Sequence, residues 1–587
     1  MAESILTIFR RNALKLKETP CFHYKVGGRW VSYSWVEAEE RVRRYSLGLS
    51  SLGVKSGSKV AIWSQTRVEW TLCDLAILAC GAVVVPVYHT LHREQVSYIL
   101  KNADVSVLIV EKKEQWNELK EQALPHLTKV IVIEGEGDQN LLSLEHLVSV
   151  GNGIPVNHYD EQLKQIQPEH HATYIYTSGT TGFPKGAVVT HKNILSECEG
   201  LQGVFRFQPN QICLLCLPLA HVVARAVQFY QMSEGFQMAY VSDLEQLGKS
   251  LEEVRPHFFL AVPRLLEKVL QKVQQKVHSL PSALQKMALW SQQLGLEVSE
   301  LRQKRRSLGW WQWVEYQAAY WLGLRQLKKR LGGRIQFIIS GGAPLSKEVA
   351  QFFHGHGILI LEGYGLTETF AAVTVNRPDD FRFGTVGKPV PGVRIRMSPD
   401  GEICIKGDMV FSGYFQMPNE TKEVFDEEGW FRTGDIGDFT KDGFLRITDR
   451  KKDIIVTSGG KNIAPQRIEE LLKGSLYINQ AFVYGDGRKF ISALVTLNKE
   501  SVLKSLEKKG IIVNGKSLAS HQAVYQMIRE EVDKANQQLA SFETVKKFAI
   551  LDAEFSIETG ELTPSMKVKR KVVLQRYQDV LEQFYRE

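Results

Sequence analysis

Tyr176-Thr-Ser-Gly-Thr-Thr-Gly-Phe-Pro-Lys185-Gly-Ala187 is the stretch from which the rest of the chain is read. A β-like run, Ala172 to Ile175, precedes it, and Val188 and Val189 lead from it to a helix start near His191. A loop leaving the edge of a sheet is therefore expected. Gly179, Gly182 and Gly186 let the backbone turn and come close to a ligand, while Thr177, Ser178, Thr180, Thr181 and Lys185 supply hydroxyls and a cation. Main-chain N–H groups, hydroxyls and a point charge together hold a polyphosphate. A P-loop would need Gly-Lys followed by Ser or Thr at a helix start, whereas Lys185 follows Pro184 and precedes Gly186. A flexible surface loop accounts for a few such residues, not for a run of this length ending in Pro-Lys-Gly.

Upstream, strand-like runs (Lys59 to Trp63, Ala82 to Val87, Val105 to Val110) alternate with helix-like ones (Trp35 to Leu52, Arg93 to Asn102), the signature of a parallel, doubly wound layer. Polar, turn-rich connections at 135–140 and 151–157 read as loops. Downstream, Ile212 to Leu217 reads as a buried strand ending at Pro218-Leu-Ala-His221. Arg334-Ile-Gln-Phe-Ile-Ile-Ser-Gly341-Gly342-Ala343-Pro-Leu-Ser346 and Leu359-Ile-Leu-Glu-Gly-Tyr364-Gly365-Leu-Thr367-Glu368-Thr369 are two more strands, each ending in a glycine turn. In open α/β sheets ligands gather at such strand ends. Gly429-Trp-Phe-Arg-Thr-Gly-Asp435, Ile447-Thr-Asp-Arg450-Lys-Lys-Asp and Leu562-Thr-Pro-Ser-Met-Lys567-Val-Lys-Arg570 complete the set.

In order and rough spacing these stretches resemble the motifs of the adenylate-forming superfamily: acyl-CoA synthetases, peptide-synthetase adenylation domains and luciferases. The resemblance covers nearly the whole chain and is nearest to long-chain fatty acid–CoA ligases. It implies an α/β protein with a large multi-sheet N-terminal domain of doubly wound layers (1–449) and a small mobile α+β C-terminal domain (450–587), hinged near Asp449. It places adenine against Gly341, Gly342, Ala343, Tyr364 and Gly365, and the triphosphate on Thr177 to Lys185. Asp435 would accept the ribose hydroxyls, with Arg450 as a further partner. Glu368 would be the magnesium ligand, Thr367 a phosphate donor, and His221 would stand at the acyl pocket wall. Lys567 matches the lysine that enters the site for adenylation, although Lys569 and Lys571 are near neighbours, and Gly460 would swing in for the thioester step. Implied cofactors are ATP, Mg2+ and coenzyme A as co-substrate. The implied reaction is activation of a medium-to-long fatty acid as an acyl-adenylate, followed by a thioester with coenzyme A or, alternatively, an acyl carrier protein. A non-catalytic, membrane-peripheral acyl- or nucleotide-binding protein is the reading from another class; it would be expected to lose Lys185, Glu368, Asp435 or Lys567, and all four are present.

Bulk properties fit. At 587 residues the chain exceeds one ordinary core, and 44% hydrophobic with 24% charged residues is a soluble, globular composition. A formal charge of +8 suits anionic ligands and decides among none; nucleic acid is not an expected partner. Cysteines at 21, 73, 80, 198, 213, 216 and 404 sit among apolar neighbours and read as reduced core thiols, the Cys213-Leu-Leu-Cys216 spacing included. With an acid, Glu3, where a signal peptide wants basic residues, and no apolar run of membrane length, a cytoplasmic protein is expected. The long helical segment 266–331 departs from an ordinary core. Arg302, Lys304, Arg305 and Arg306 precede Trp310, Trp311, Trp313, Tyr316, Tyr320 and Trp321, and Arg325, Lys328, Lys329 and Arg330 follow. Indoles between basic flanks suit an anionic membrane surface, peripheral on its inner face, and equally a packed hairpin with the indoles as core.

Overall fold

The β-branched runs of the N-terminal part assemble into a seven-stranded sheet in the spatial order Leu142–Ser143, Lys129–Val132, Val107–Val110, Lys59–Trp63, Val83–Val87, His171–Thr177, Lys185–Thr190. All neighbours are parallel except the last pair. The Val83–Val87 strand is wholly buried, as expected where helices cover both faces. This computed structural model describes residues 4–138, 141–177, 184–511, 517–563 and 566–586; Ser178, Gly179, Thr180, Thr181 and Gly182, expected to hold phosphate, lie outside them. Their flanks are in place: His171–Thr177 and Lys185–Thr190 form an antiparallel hairpin at the sheet edge, closed by the pair Thr177 and Lys185. Thr190 then caps the His191–Gln202 helix through Asn193 N–H, with the Asn193 side chain answering in a capping box.

A second sheet of nine strands is built around six parallel ones, in the order Leu359–Tyr364, Phe337–Ser340, Phe258–Ala261, Ile212–Leu215, Gln237–Tyr240, Pro20–Val26. Their C-terminal ends lie along one sheet edge. Gly341, Gly365 and the turn leading to His221 therefore emerge together, the arrangement that makes a ligand crevice. A buried polar knot ties this sheet to the first. Arg225, on the Val222–Glu234 helix that His221 caps, is fully buried against Asp74 of the Val68–Ala79 helix and donates to Thr173 Oγ1. Gln228 Nε2 takes the other Asp74 oxygen at 2.6 Å. The His171–Thr177 strand and the helix beginning at His221 are thus fixed to one another by charge-assisted bonds that cannot be traded for water.

The expectation of loops at 135–140 and 151–157 holds only in part. Leu144–Gly151 and Asn157–Gln165 are helices. Gly151 is a contact glycine rather than a turn residue: a Cβ there would stand 2.7 Å from Gly48 N, and one on Gly48 would stand 2.1 Å from Leu147 O. The pair lets two helices touch backbone to backbone, which local turn chemistry does not reveal. All seven cysteines are buried and free, and among the described residues no cluster of three metal-ligating side chains occurs.

The segment 263–330 is helical: Pro263–His278, Ser282–Gln303, Trp310–Ala319, one π-turn at Tyr320–Leu324, and Arg325–Arg330. Its own small core is Leu294, Val298, Tyr316, Ala319 and Leu324; Trp310, Trp311, Trp313 and Trp321 are not in it and face solvent. Beyond lie a four-stranded antiparallel sheet ending at Leu445–Arg450 and a three-stranded one, Ile478–Tyr484, Ile491–Leu497 and Val545–Leu551. Helices Pro465–Lys473 and Gln522–Asn536 give the latter a core of its own, around Ile468, Val483, Val495 and Ile528. This small C-terminal unit rests on the Pro263–His278 helix through Arg264 Nη1 to Asn479 O (3.1 Å) and Gln275 Nε2 to Ser501 Oγ (2.6 Å).

Candidate active site

Glu368 occupies a short 3₁₀ turn, Thr367–Thr369, directly after the Leu359–Tyr364 strand. The turn is tight enough that a Cβ on Gly365 would lie 1.4 Å from Ala371 O, and Phe370 and Ala371 take positive φ (44° and 94°). Such backbone persists only where surroundings hold it. Here Phe411 N–H donates to Glu368 O (2.8 Å) and the buried Glu197 accepts Ala372 N–H (2.9 Å). Burial raises the Glu197 carboxyl well above its ordinary range. Glu368 Oε1 accepts the Tyr414 hydroxyl at 2.8 Å, and the same ring lies 5.2 Å from Lys185 Nζ. Tyr414 thereby joins the two sequence motifs, and nothing in Ser412-Gly-Tyr-Phe marks it in advance; backbone pairing of 412–415 with Gly186 to Val188, across the bridge between Ala187 and Tyr414, brings it there. Burial, followed by Glu368, raises the Tyr414 phenol, so it stays a proton donor at neutral pH.

Asp435 is buried with both carboxylate oxygens engaged. Tyr364 Oη donates to Oδ2 at 2.7 Å and Arg450 Nε lies 3.1 Å from Oδ1. The stretches expected to meet adenine and ribose and to form the hinge, from three strands, therefore converge on one carboxylate. Next to Arg450, Asp449 accepts its N–H (2.6 Å) and, through Oδ2, Gln466 N–H (3.1 Å) at the start of the Pro465–Lys473 helix. Burial lifts the Asp449 carboxyl to about 6.

Gly341 and Gly342 sit where space is scarce. A Cβ on Gly341 would stand 3.2 Å from Gly363 O, and Gly342 (φ 81°) has His221 at 3.8 Å. His221 Nδ1 accepts Val223 N–H at 3.2 Å, which leaves Nε2 to carry the proton. Burial, reinforced by the positive charge of Lys567, lowers this imidazole to about 4, so it is neutral at physiological pH.

Lys567 closes the cleft. It follows Met566, which has φ 64°, in a loop pinned by Thr563 N–H to Lys567 O (2.8 Å) and Lys567 N–H to Thr563 Oγ1 (3.0 Å). Arg570 anchors the loop on Glu469 (2.6 Å) and Val483 O (2.6 Å). Lys567 keeps exposed surface while protein surrounds its ammonium; burial, then Arg450, lowers it to about 8, against the pull of Asp435 and Glu368. Of the three neighbouring lysines it is the one that feels Arg450, Asp435 and Glu368, whereas Lys569 sits at the head of the Arg570–Arg576 helix and Lys571 within its first turn. Gly460 lies elsewhere, in the exposed turn between Ile455–Val456 and Asn462–Ile463 with φ 73° and open space beyond it.

Residues 9–415 match the AMP-binding enzyme family, and residues 452–587 match the AMP-binding enzyme C-terminal domain. The chain belongs to the AMP-binding enzyme family. Among its relatives, the long-chain-fatty-acid–CoA ligase FadD15 of Mycobacterium bovis is 37% identical over 95% of this chain and 93% of that protein. Long-chain-fatty-acid–CoA ligase 5 of Rattus norvegicus is 32% identical, spanning 100% of this chain and 89% of its own. In fold, the AMP-binding chain resembles the adenylation domain of a carboxylate reductase from Mycobacterium chelonae (TM-score 0.79, 22% identity, 99% and 91% of the two chains). It likewise resembles a Mycobacterium tuberculosis fatty acyl CoA synthetase (TM-score 0.64, 21% identity, 98% and 99%).

Proposed function

We propose that this enzyme joins a medium-to-long-chain fatty acid to coenzyme A through an acyl-adenylate, with release of pyrophosphate and then AMP. The observation that carries the reading is the convergence of Lys567, Glu368, Asp435 and Arg450 on one cleft in a chain whose relatives over its full length are long-chain-fatty-acid–CoA ligases. In the first half a carboxylate oxygen attacks the α-phosphorus and the bond to pyrophosphate breaks. Both reactants are anionic, so placing and neutralising charge is the main task. Lys567, the 177–185 loop and Lys185 supply positive charge, Tyr364 and the Gly341-Gly342-Ala343 turn receive adenine, Asp435 takes the ribose hydroxyls, and Thr367 donates to phosphate. The neutral His221 presents Nε2–H at the acyl side.

Glu368 fits a magnesium ion held mainly by nucleotide phosphates. Such an ion needs one or two protein carboxylates rather than a cage, and Tyr414 engages one Glu368 oxygen and leaves the other. Bound there, the ion would neutralise charge on the phosphates. In the second half the thiol sulfur attacks the acyl carbonyl, the bond to AMP breaks and the thiol proton leaves to solvent. We assign the boundary between units to residues 449 and 450, with rotation there withdrawing Lys567 and bringing in the Gly460 turn.

Coenzyme A is the acceptor favoured by the relatives, an acyl carrier protein the alternative. We place the enzyme in the cytoplasm, where its seven free thiols stay reduced, drawing fatty acid from an anionic membrane face. ATP–pyrophosphate exchange with fatty acids of increasing length tests the reading: exchange with long acids that collapses in Lys567→Ala supports it. No exchange with any acid refutes it. Offering coenzyme A and carrier protein separately then identifies the acceptor.

A further inference from the structure

A helix lying on a folded protein turns its charged residues outward and its apolar ones inward. Trp310–Ala319 inverts this. Its inner side is Tyr316 and Ala319, both buried, while Trp310, Trp311, Trp313 and Val314 point outward, joined by Trp321 and Leu322 of the π-turn. The four indoles are 65, 64, 54 and 61% exposed, more than a monomer leaves in water without use. Glu315 is the only acid on the helix. The apolar face is also bracketed by cations. Arg306 and Lys329 are exposed and have no carboxylate partner among the described residues, and the Arg325 guanidinium lies 4.3 Å over the Trp321 ring. Indoles favour the depth of lipid headgroups, and basic residues beside them meet anionic lipid.

We propose that this face, with Arg306 and Lys329 at its two ends, seats the enzyme on an anionic bilayer without crossing it. Among the described residues no helix is long and apolar enough to span. The inference deepens the fatty-acid reading by naming the surface from which the substrate is drawn, and rests on it only for that purpose. A partner protein would require a complementary acidic, apolar groove; a bilayer needs only what the face already has, exposed indoles and exposed basic residues flanking them in the chain.

The test is co-sedimentation of the full chain with vesicles of phosphatidylcholine alone and of phosphatidylcholine with phosphatidylglycerol, at low and high salt, with tryptophan emission recorded. The expected result is binding to the anionic vesicles, a blue shift on binding, and weakening by salt. W310A/W311A/W313A/W321A and, separately, R306E/K329E should each weaken binding at least tenfold. These side chains are exposed, so thermal unfolding and exchange with a short, water-soluble acid should stay at wild-type levels; that assay fails independently if the fatty-acid reading fails. Absence of binding to anionic vesicles, equal binding by the quadruple variant, or a dimer that the quadruple variant dissociates in place of vesicle binding would each overturn the proposal.

Discussion

The Lys567 ammonium offers the sharpest test of the adenylation geometry, because its environment sets a pH at which the chemistry should fail. An ordinary lysine holds its proton to pH 10.5, but here burial and Arg450 bring it to about 8. About nine-tenths of the free enzyme is then charged at pH 7 and about one-tenth at pH 9. If that charge meets the phosphates in the transition state, kcat/KM for ATP–pyrophosphate exchange should fall about tenfold between pH 7 and 9, since this parameter reports the free enzyme. Bound ATP favours the charged lysine, so the fall in kcat should sit at higher pH than the fall in kcat/KM. Lys567→Arg keeps a cation through pH 10 and should flatten the alkaline limb, whereas Lys567→Ala should lose about 10²–10³ of the rate and also be flat. Unfolding does not mimic the effect. The folded pKa lies below the unfolded one, so the unfolded chain binds more protons between about pH 8 and 10.5 and this group's contribution to stability grows as pH rises through that window. An alkaline limb unchanged in Lys567→Arg, or no limb below pH 10 in the wild type, would refute the assignment.

Removing the Tyr414 hydroxyl (Tyr414→Phe) frees Glu368 Oε1 while keeping the ring near Lys185. A several-fold rise in the magnesium concentration for half-maximal exchange is expected, with Mn2+ binding followed by electron paramagnetic resonance moving in parallel; unchanged metal dependence would count against Tyr414 as a positioning residue. Asp435→Asn, which cannot accept from Arg450 and a ribose diol as a carboxylate does, should raise KM for ATP by about tenfold or more, corresponding to about 1.4 kcal/mol or more, with the KM for fatty acid little changed. Asp74→Ala leaves the fully buried Arg225 without its counter-charge and should cost about 3–5 kcal/mol in denaturant unfolding, while a loss under 1 kcal/mol would mean that the pair is solvated. His221 already sits at about 4, so exchange should show no acid limb near pH 6.5 that His221→Gln removes.

The parts of the fold written in local pattern were legible. Arg93–Asn102 and Lys59–Trp63 coincide with the expected helix and strand, because periodicity and β-branching act over a few residues. What was hidden depends on contacts distant in sequence. The helix closing at Gly151 makes sense only against Gly48, and Tyr414 becomes part of the site only through Glu368, whose side chain it reaches across 46 positions. For the Trp-rich segment, composition alone leaves interface and core equally open. Its orientation is decided by which face Tyr316 and Ala319 bury, and that follows from packing against Leu294 and Val298 of the preceding helix.

At the boundary proposed between the units, two neighbouring residues of one strand turn to different partners. Asp449 turns its carboxylate toward Gln466 N–H of the C-terminal unit, and Arg450 turns its guanidinium toward Asp435, the carboxylate assigned to ribose. Side chains alternate along a strand, so the two point to opposite faces as a matter of geometry. The proposed rotation about this pair would change the approach of Arg450 to Asp435 in the same movement that carries Arg570, and with it the Lys567 loop, relative to Glu368. On that proposal, nucleotide contacts and domain position would be coupled through adjacent peptide units. Shortening the carboxylate's hold on the helix, as in Asp449→Ala, should slow the thioester half, supplied with preformed acyl-adenylate, more than pyrophosphate exchange. Equal slowing of both halves would place the pivot elsewhere.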